Sequence, residues 1–134
     1  MKIEVRPKAL AKIYNPGEAW ACISIATYSG TWPEFCDTPS QLLQMSFADL
    51  DSKVNGFEIF ESKHASEILD FYLNLTDVSY LLVHCELGVS RSPAVAAALS
   101  KIFFKNDDFF FKNYSPNIHV YRLILNQAFQ RGLI

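Results

Sequence analysis

At 134 residues the chain fits one domain, residues 1–134, and a composition that is 50% apolar and 14% aromatic supports a sizeable core, which excludes extended disorder. Twelve basic against fourteen acidic residues leave a formal charge of −2, so a nucleic-acid partner needing a concentrated basic face is not expected. Cys22, Cys36 and Cys85 are odd in number, widely spaced and form no C-x-x-C pair, which argues against a disulfide scaffold or a zinc cage.

In chain order, the N-terminal stretch MKIEVRPKALAKIY has no long apolar region, and no later run approaches a membrane-spanning length. A reducing, cytoplasmic setting without a membrane partner is the expectation. Trp20 to Ala26 (WACISIA) reads as a buried strand and holds Cys22, expected to be structural. Leu42 to Phe47 reads as a second strand. From about Phe57 to Leu75, Ala65, Ile68, Leu69 and Tyr72 recur at helical spacing, so a helix is predicted there. Tyr80 to His84 (YLLVH) reads as a third strand. It leads through a short loop containing Gly88 into PAVAAALSKIFF, a second helix with Pro93 in its first turn. The phenylalanine-rich stretch Phe103 to Phe111 reads as core filling. A last helix is predicted from near Pro116 to about Arg131. Strands alternating with helices predict an α/β domain with a mainly parallel central sheet flanked by helices.

The strand–loop–helix junction carries the chemistry: His84-Cys85-Glu86-Leu87-Gly88-Val89-Ser90-Arg91-Ser92. The backbone amides of Glu86, Leu87, Gly88, Val89 and Ser90 can form an anion-binding nest, and the following helix adds its positive N-terminal end. Gly88 permits a left-handed backbone or a close approach, and the planar fork of Arg91 matches two phosphate oxygens. The same field favours the thiolate form of Cys85, which could attack phosphorus in line and form a cysteinyl-phosphate without a metal or cofactor. An inert buried cysteine beside a surface arginine is the competing reading; a P-loop nucleotidase is excluded because no GxxxxGK[ST] occurs.

The stretch HCELGVSRS resembles the HCxxGxxRS signature of the protein tyrosine and dual-specificity phosphatases. Val83 to Leu99 is similar to that family's catalytic strand, phosphate loop and helix. Downstream, Ser115-Pro116-Asn117 followed by VYRLILNQAF resembles its SPN segment opening a late helix. The resemblance implies that Asn117 helps hold the phosphate loop. It implies that Ser92 hydrogen-bonds the thiolate and assists breakdown of the phosphoenzyme, where an N-cap role is the alternative. It implies that His84 orients the loop and lowers the thiol pKa. It also implies an aspartate general acid upstream of the cysteine. Aligning Met45, Ser46 and Phe47 with the dual-specificity strand I-P-V-x-D points to Asp49, with Asp51 the alternative. Trp32-Pro33-Glu34 echoes a WPD loop but lies too far upstream of Cys85, and is expected to be a surface turn with a packed tryptophan. His64 and His119 show no ligand spacing with His84 and read as ordinary helix-face residues, so no metal site is expected.

Within this loop the family's phosphoinositide and RNA 5′-triphosphate branches tend to carry basic residues, whereas Glu86, Leu87, Val89 and Ser90 stand here. A phosphorylated protein is thus the expected substrate, with phosphotyrosine ahead of phosphoserine and phosphothreonine. A non-protein phosphatase and a phosphate-binding module without turnover are the alternatives.

Overall fold

The computed structural model describes all residues, Met1 to Ile134. Four strands, β1 (Lys2–Pro7), β2 (Trp20–Ala26), β3 (Gln41–Ser46) and β4 (Tyr80–Cys85), form one sheet in the order β1-β4-β2-β3. Every pairing is parallel, with Lys2 opposite Tyr80, Trp20 opposite Tyr80 and Ala21 opposite Gln41. β2 and β4 are covered on both faces, which is why they read as unbroken apolar runs instead of alternating ones.

One face carries the larger core. Ala21, Ile23, Ile25, Leu81, Val83, Ile3 and Val5 point into it and meet α2 (Ser62–Leu73), α3 (Arg91–Phe104) and α5 (Ile118–Gln130). Arg91 to Ser100 are all buried, because α3 lies between the sheet and α5. Its alanines, Ala94 and Ala96 to Ala98, let the helix sit close to the strands. The opposite face has only the short α1 (Lys8–Ala11) and loops, which seal a small cluster of Ala11, Tyr14, Trp20, Cys22 and Leu82. No helix is long and apolar enough to cross a membrane.

The sequence-based boundaries shift in several places. β1 was not predicted, although Ile3 and Val5 alternate inward between Lys2, Glu4 and Arg6. The second strand runs one residue earlier than expected and stops before Phe47. The helix predicted from Phe57 begins only at Ser62, because the His64 Nδ1 accepts from the Glu61 amide and caps it there. His64 is therefore a buried capping residue and not a plain helix-face histidine, and its Nε2 lies 2.9 Å from Glu58 Oε1. His119 likewise has a structural partner, the Phe60 carbonyl, which accepts from its Nε2 at 2.8 Å.

The phenylalanine stretch departs furthest from its reading as core. α3 stops at Lys105, whose φ of 64° is left-handed, and the unpredicted α4 (Asp108–Asn113) follows. Such a short helix turns one side inward: Phe110 is buried while Phe109 remains 61% exposed, and Phe104, at the end of α3, is 49% exposed.

Candidate active site

Because all four strands run the same way, their carboxyl ends share one edge, where open α/β sheets place their ligands. Thr27 follows β2, Phe47 and Asp49 follow β3, and Cys85 ends β4. Cys85 is buried at 2% exposure. The Gly88 N–H donates to its Sγ at 3.3 Å, and the Ser92 Oγ lies 3.1 Å from the same sulfur. The amides of Glu86, Leu87, Val89 and Ser90 donate to no protein acceptor. The side chains of Leu87 and Val89 are exposed, so this loop presents its backbone to the cleft as a nest would require.

Two segments hold the loop in shape. At Gly88, φ is +68°, and a Cβ there would lie 2.7 Å from the Pro7 nitrogen and 2.9 Å from the Arg6 carbonyl carbon. Only glycine meets both demands. The Lys8 amide donates to the Glu86 carbonyl at 3.1 Å, so the end of β1 braces the loop from one side. From the other, the Ser115 amide donates to the Val89 carbonyl at 3.1 Å and the Asn117 amide to the Ser90 carbonyl at 3.0 Å. The Asn117 Oδ1 caps α5 by accepting from the Val120 amide. Its Nδ2 donates to Asp49 Oδ1 at 2.9 Å and to the Leu50 carbonyl at 3.1 Å.

Arg91 is nearly as buried as the cysteine, at 6% exposure. Its Nη1 donates to the Phe47 carbonyl at 2.8 Å and to Thr27 Oγ1 at 3.1 Å, while Nε and Nη2 make no hydrogen bond. Glu86 Oε1 accepts from Thr27 Oγ1 at 2.7 Å and from the Thr27 amide at 3.3 Å, and lies 3.8 Å from Arg91 Nη2. The hydroxyl bond from Thr27 is the main reason that the Glu86 carboxyl is held below the usual carboxylate range.

His84 points to the smaller face, where the Phe35 ring meets it edge-on. Its Nδ1 is 3.3 Å from the Cys85 carbonyl and its Nε2 bonds Ser24 Oγ. A carbonyl only accepts, so Nδ1 carries the proton and the Ser24 hydroxyl donates to Nε2. Burial lowers the His84 pKa from 6.5 to about 4, overriding the carbonyl bond that favours protonation. His84 is thus neutral at pH 7 and brings no charge to the thiol; it joins the strand end to Ser24.

Asp49 Oδ1 accepts from Ser90 Oγ at 2.9 Å as well as from Asn117, which ties the segment after β3 to the loop. Oδ2 makes no hydrogen bond. Asp51 makes no bond to the loop, although it lines the same open cleft as Asp49, Asn117, Ile118 and His119. Ser92 is not the N-cap of α3, since Ser90 occupies that position, and its hydroxyl turns to the sulfur. The Trp32 indole N–H donates to the Met45 carbonyl at 2.9 Å beside the edge strand, and the exposed Glu34 bonds none of the loop residues. Thr27, Ser24 and the Phe47 carbonyl are parts of the site that the sequence reading passed over. The signal for Thr27 was faint: it is the first polar residue past the end of an apolar strand.

No family model matches the chain, and no curated protein matches it. Solved structures do. The human tyrosine phosphatase-like serine/threonine/tyrosine-interacting protein superposes with a TM-score of 0.63 at 17% identity, over 98% of this chain and 93% of its own. PTPMT1, solved in complex with PI(5)P, gives 0.59 at 12% identity, over 98% and 92%. Human DUSP28 gives 0.56 at 14% identity, over 97% and 94%. With the strand–loop–helix geometry around Cys85, these likenesses assign the architecture: the chain has the single-domain α/β fold of the cysteine-based protein tyrosine phosphatases, in its dual-specificity-like form.

Proposed function

We propose that the chain is a phosphomonoester hydrolase acting on phosphoproteins, phosphotyrosine first, through a cysteinyl-phosphate intermediate. The observation that carries this reading is the seating of Cys85 Sγ against the Gly88 amide and Ser92 Oγ, with the unoccupied Nε and Nη2 edge of Arg91 in the same loop. The Cys85 thiolate attacks phosphorus; the S–P bond forms as the P–O bond to the leaving group breaks, and Asp49 Oδ2 gives that oxygen its proton. Water then attacks phosphorus and passes a proton back to Asp49, while Ser92 Oγ stabilises the departing thiolate. The loop amides and Arg91 carry the charge of the transferring phosphoryl group throughout.

The substrate class rests on charge. Glu86 stands inside the loop and no lysine does, which disfavours a polyanionic headgroup or a triphosphate end. Purified protein assayed in parallel on tyrosine and serine phosphopeptides, a phosphoinositide and an RNA 5′-triphosphate is expected to prefer the phosphotyrosine peptide. Cys85→Ser should abolish turnover yet retain the peptide in native mass spectrometry. Preference for the lipid or the RNA would overturn the substrate assignment. Peptide retention by wild type with no phosphate release would make the chain a binding module instead.

A further inference from the structure

We propose that Thr27 is a positioning residue for Arg91 that works by restraining Glu86, an inference resting on the phosphate-binding reading of the loop. A guanidinium offers five hydrogens, two of them on Nη1. Both Nη1 hydrogens are used, one by the Phe47 carbonyl and one by Thr27 Oγ1. That leaves Nε and Nη2, the side-on edge whose two parallel N–H groups match two oxygens of a phosphoryl group. The side chain is therefore committed to one orientation before any substrate arrives, so less order has to be imposed on binding.

Glu86 is the hazard in this arrangement. It is a carboxylate within the loop, 3.8 Å from Nη2, and a short swing would bring it onto the edge that phosphate needs. Thr27 disfavours the swing, although the parked carboxylate still sets its charge 3.8 Å from the fork. Its single hydroxyl hydrogen goes to Glu86 Oε1 at 2.7 Å, its amide reaches the same oxygen at 3.3 Å, and its oxygen still accepts from Arg91. One hydroxyl thus locks the cation and parks the competing anion, with both its donor and its acceptor capacity in use. Thr27 follows the last residue of β2, whose pairing with β4 sets its distance from the loop.

The test is steady-state kinetics on an aryl phosphate with Thr27→Val, Thr27→Ser, Glu86→Gln and the Thr27→Val/Glu86→Gln double variant, folding being checked by thermal unfolding. Thr27→Val keeps the shape and removes the hydroxyl. It is expected to raise KM about tenfold while kcat changes by no more than about twofold, since free Glu86 then competes with substrate for the fork. Thr27→Ser should restore the wild-type KM. Glu86→Gln alone should lower KM, and in the double variant it should recover most of the loss, a non-additivity that a purely structural role for Thr27 would not produce. An unchanged KM in Thr27→Val, a loss confined to kcat, or a double variant no better than Thr27→Val would overturn the inference. Affinity for a phosphotyrosine peptide, measured by calorimetry on the Cys85→Ser protein and its Thr27→Val derivative, reads the same effect without turnover. A Thr27-dependent affinity in a protein that hydrolyses nothing would sink the hydrolase reading and leave this inference standing. Should Thr27→Val fail to fold, an unaltered KM in Glu86→Gln would overturn it.

Discussion

Asp49 receives two hydrogen bonds on one carboxylate oxygen, from Ser90 and Asn117, and none on the other. A residue that must carry a proton to a leaving group needs one oxygen anchored and one free, and Asp51, two residues on, has no such anchoring. Asp49→Asn is expected to lower kcat by about 10²-fold on substrates with a poor leaving group and by much less on an activated aryl phosphate. Asp51→Asn should stay close to wild type. A series of aryl phosphates of graded leaving-group pKa checks this; the reverse ranking of the two variants would transfer the role to Asp51. In sequence the two aspartates are alike because both follow the same strand; in the structure Asp49, and not Asp51, bonds Ser90 and Asn117.

The loop from Glu86 to Ser90 is an element shaped by its neighbours. Gly88→Ala would place a Cβ 2.7 Å from the Pro7 nitrogen at a left-handed φ. Backbone cannot move aside as a flexible side chain would, so a loss of about 2 kcal/mol or more is expected, along with phosphate binding. Chemical denaturation and phosphopeptide titration read the two effects. Asn117 serves two elements at once, capping α5 with Oδ1 and tethering the Asp49 segment with Nδ2. Asn117→Ala should cost about 1 kcal/mol of stability through the lost cap, and turnover as well. Asn117→Asp keeps the acceptor, so its stability should hold while turnover falls, since a second carboxylate now faces Asp49. Equal turnover in Asn117→Asp and wild type would show that the tether is idle.

At the scale of the whole molecule the two sheet faces are unequal, and the thinner one holds His84 in neutral form. Its pKa is about 4 in the folded chain against 6.5 ordinarily, so between those values the unfolded chain takes up a proton that the folded chain refuses. Stability is accordingly complete above about pH 6.5 and declines as pH falls toward 4, by up to about 3 kcal/mol from this residue. Denaturation midpoints collected from pH 4 to 7 should show the decline, and His84→Gln should flatten it. An identical slope in the variant would assign the effect to other groups. Cys22, on the same thin face, is fully buried and its thiol is pushed up by desolvation, so it packs as an apolar side chain.

What the chain of letters determined by itself was local. The apolar run of β2, the helix-forming stretch of α3 and the Cys85-to-Arg91 loop each encode their geometry in neighbouring residues, so the strand–loop–helix cradle was readable, as was the parallel α/β class. β1 was not, because six residues with two inward side chains look like a charged N-terminal stretch until β4 pairs with them. Nor were the partners of the cradle: Thr27, the Phe47 carbonyl and Asp49 reach the Cys85-to-Arg91 segment, and Ser24 reaches His84 beside it, from elements that are distant in sequence. Which side chains share a hydrogen bond over such separations depends on strand order and register. Those follow from burying both faces of the sheet at once, a balance over the entire chain that no local segment contains.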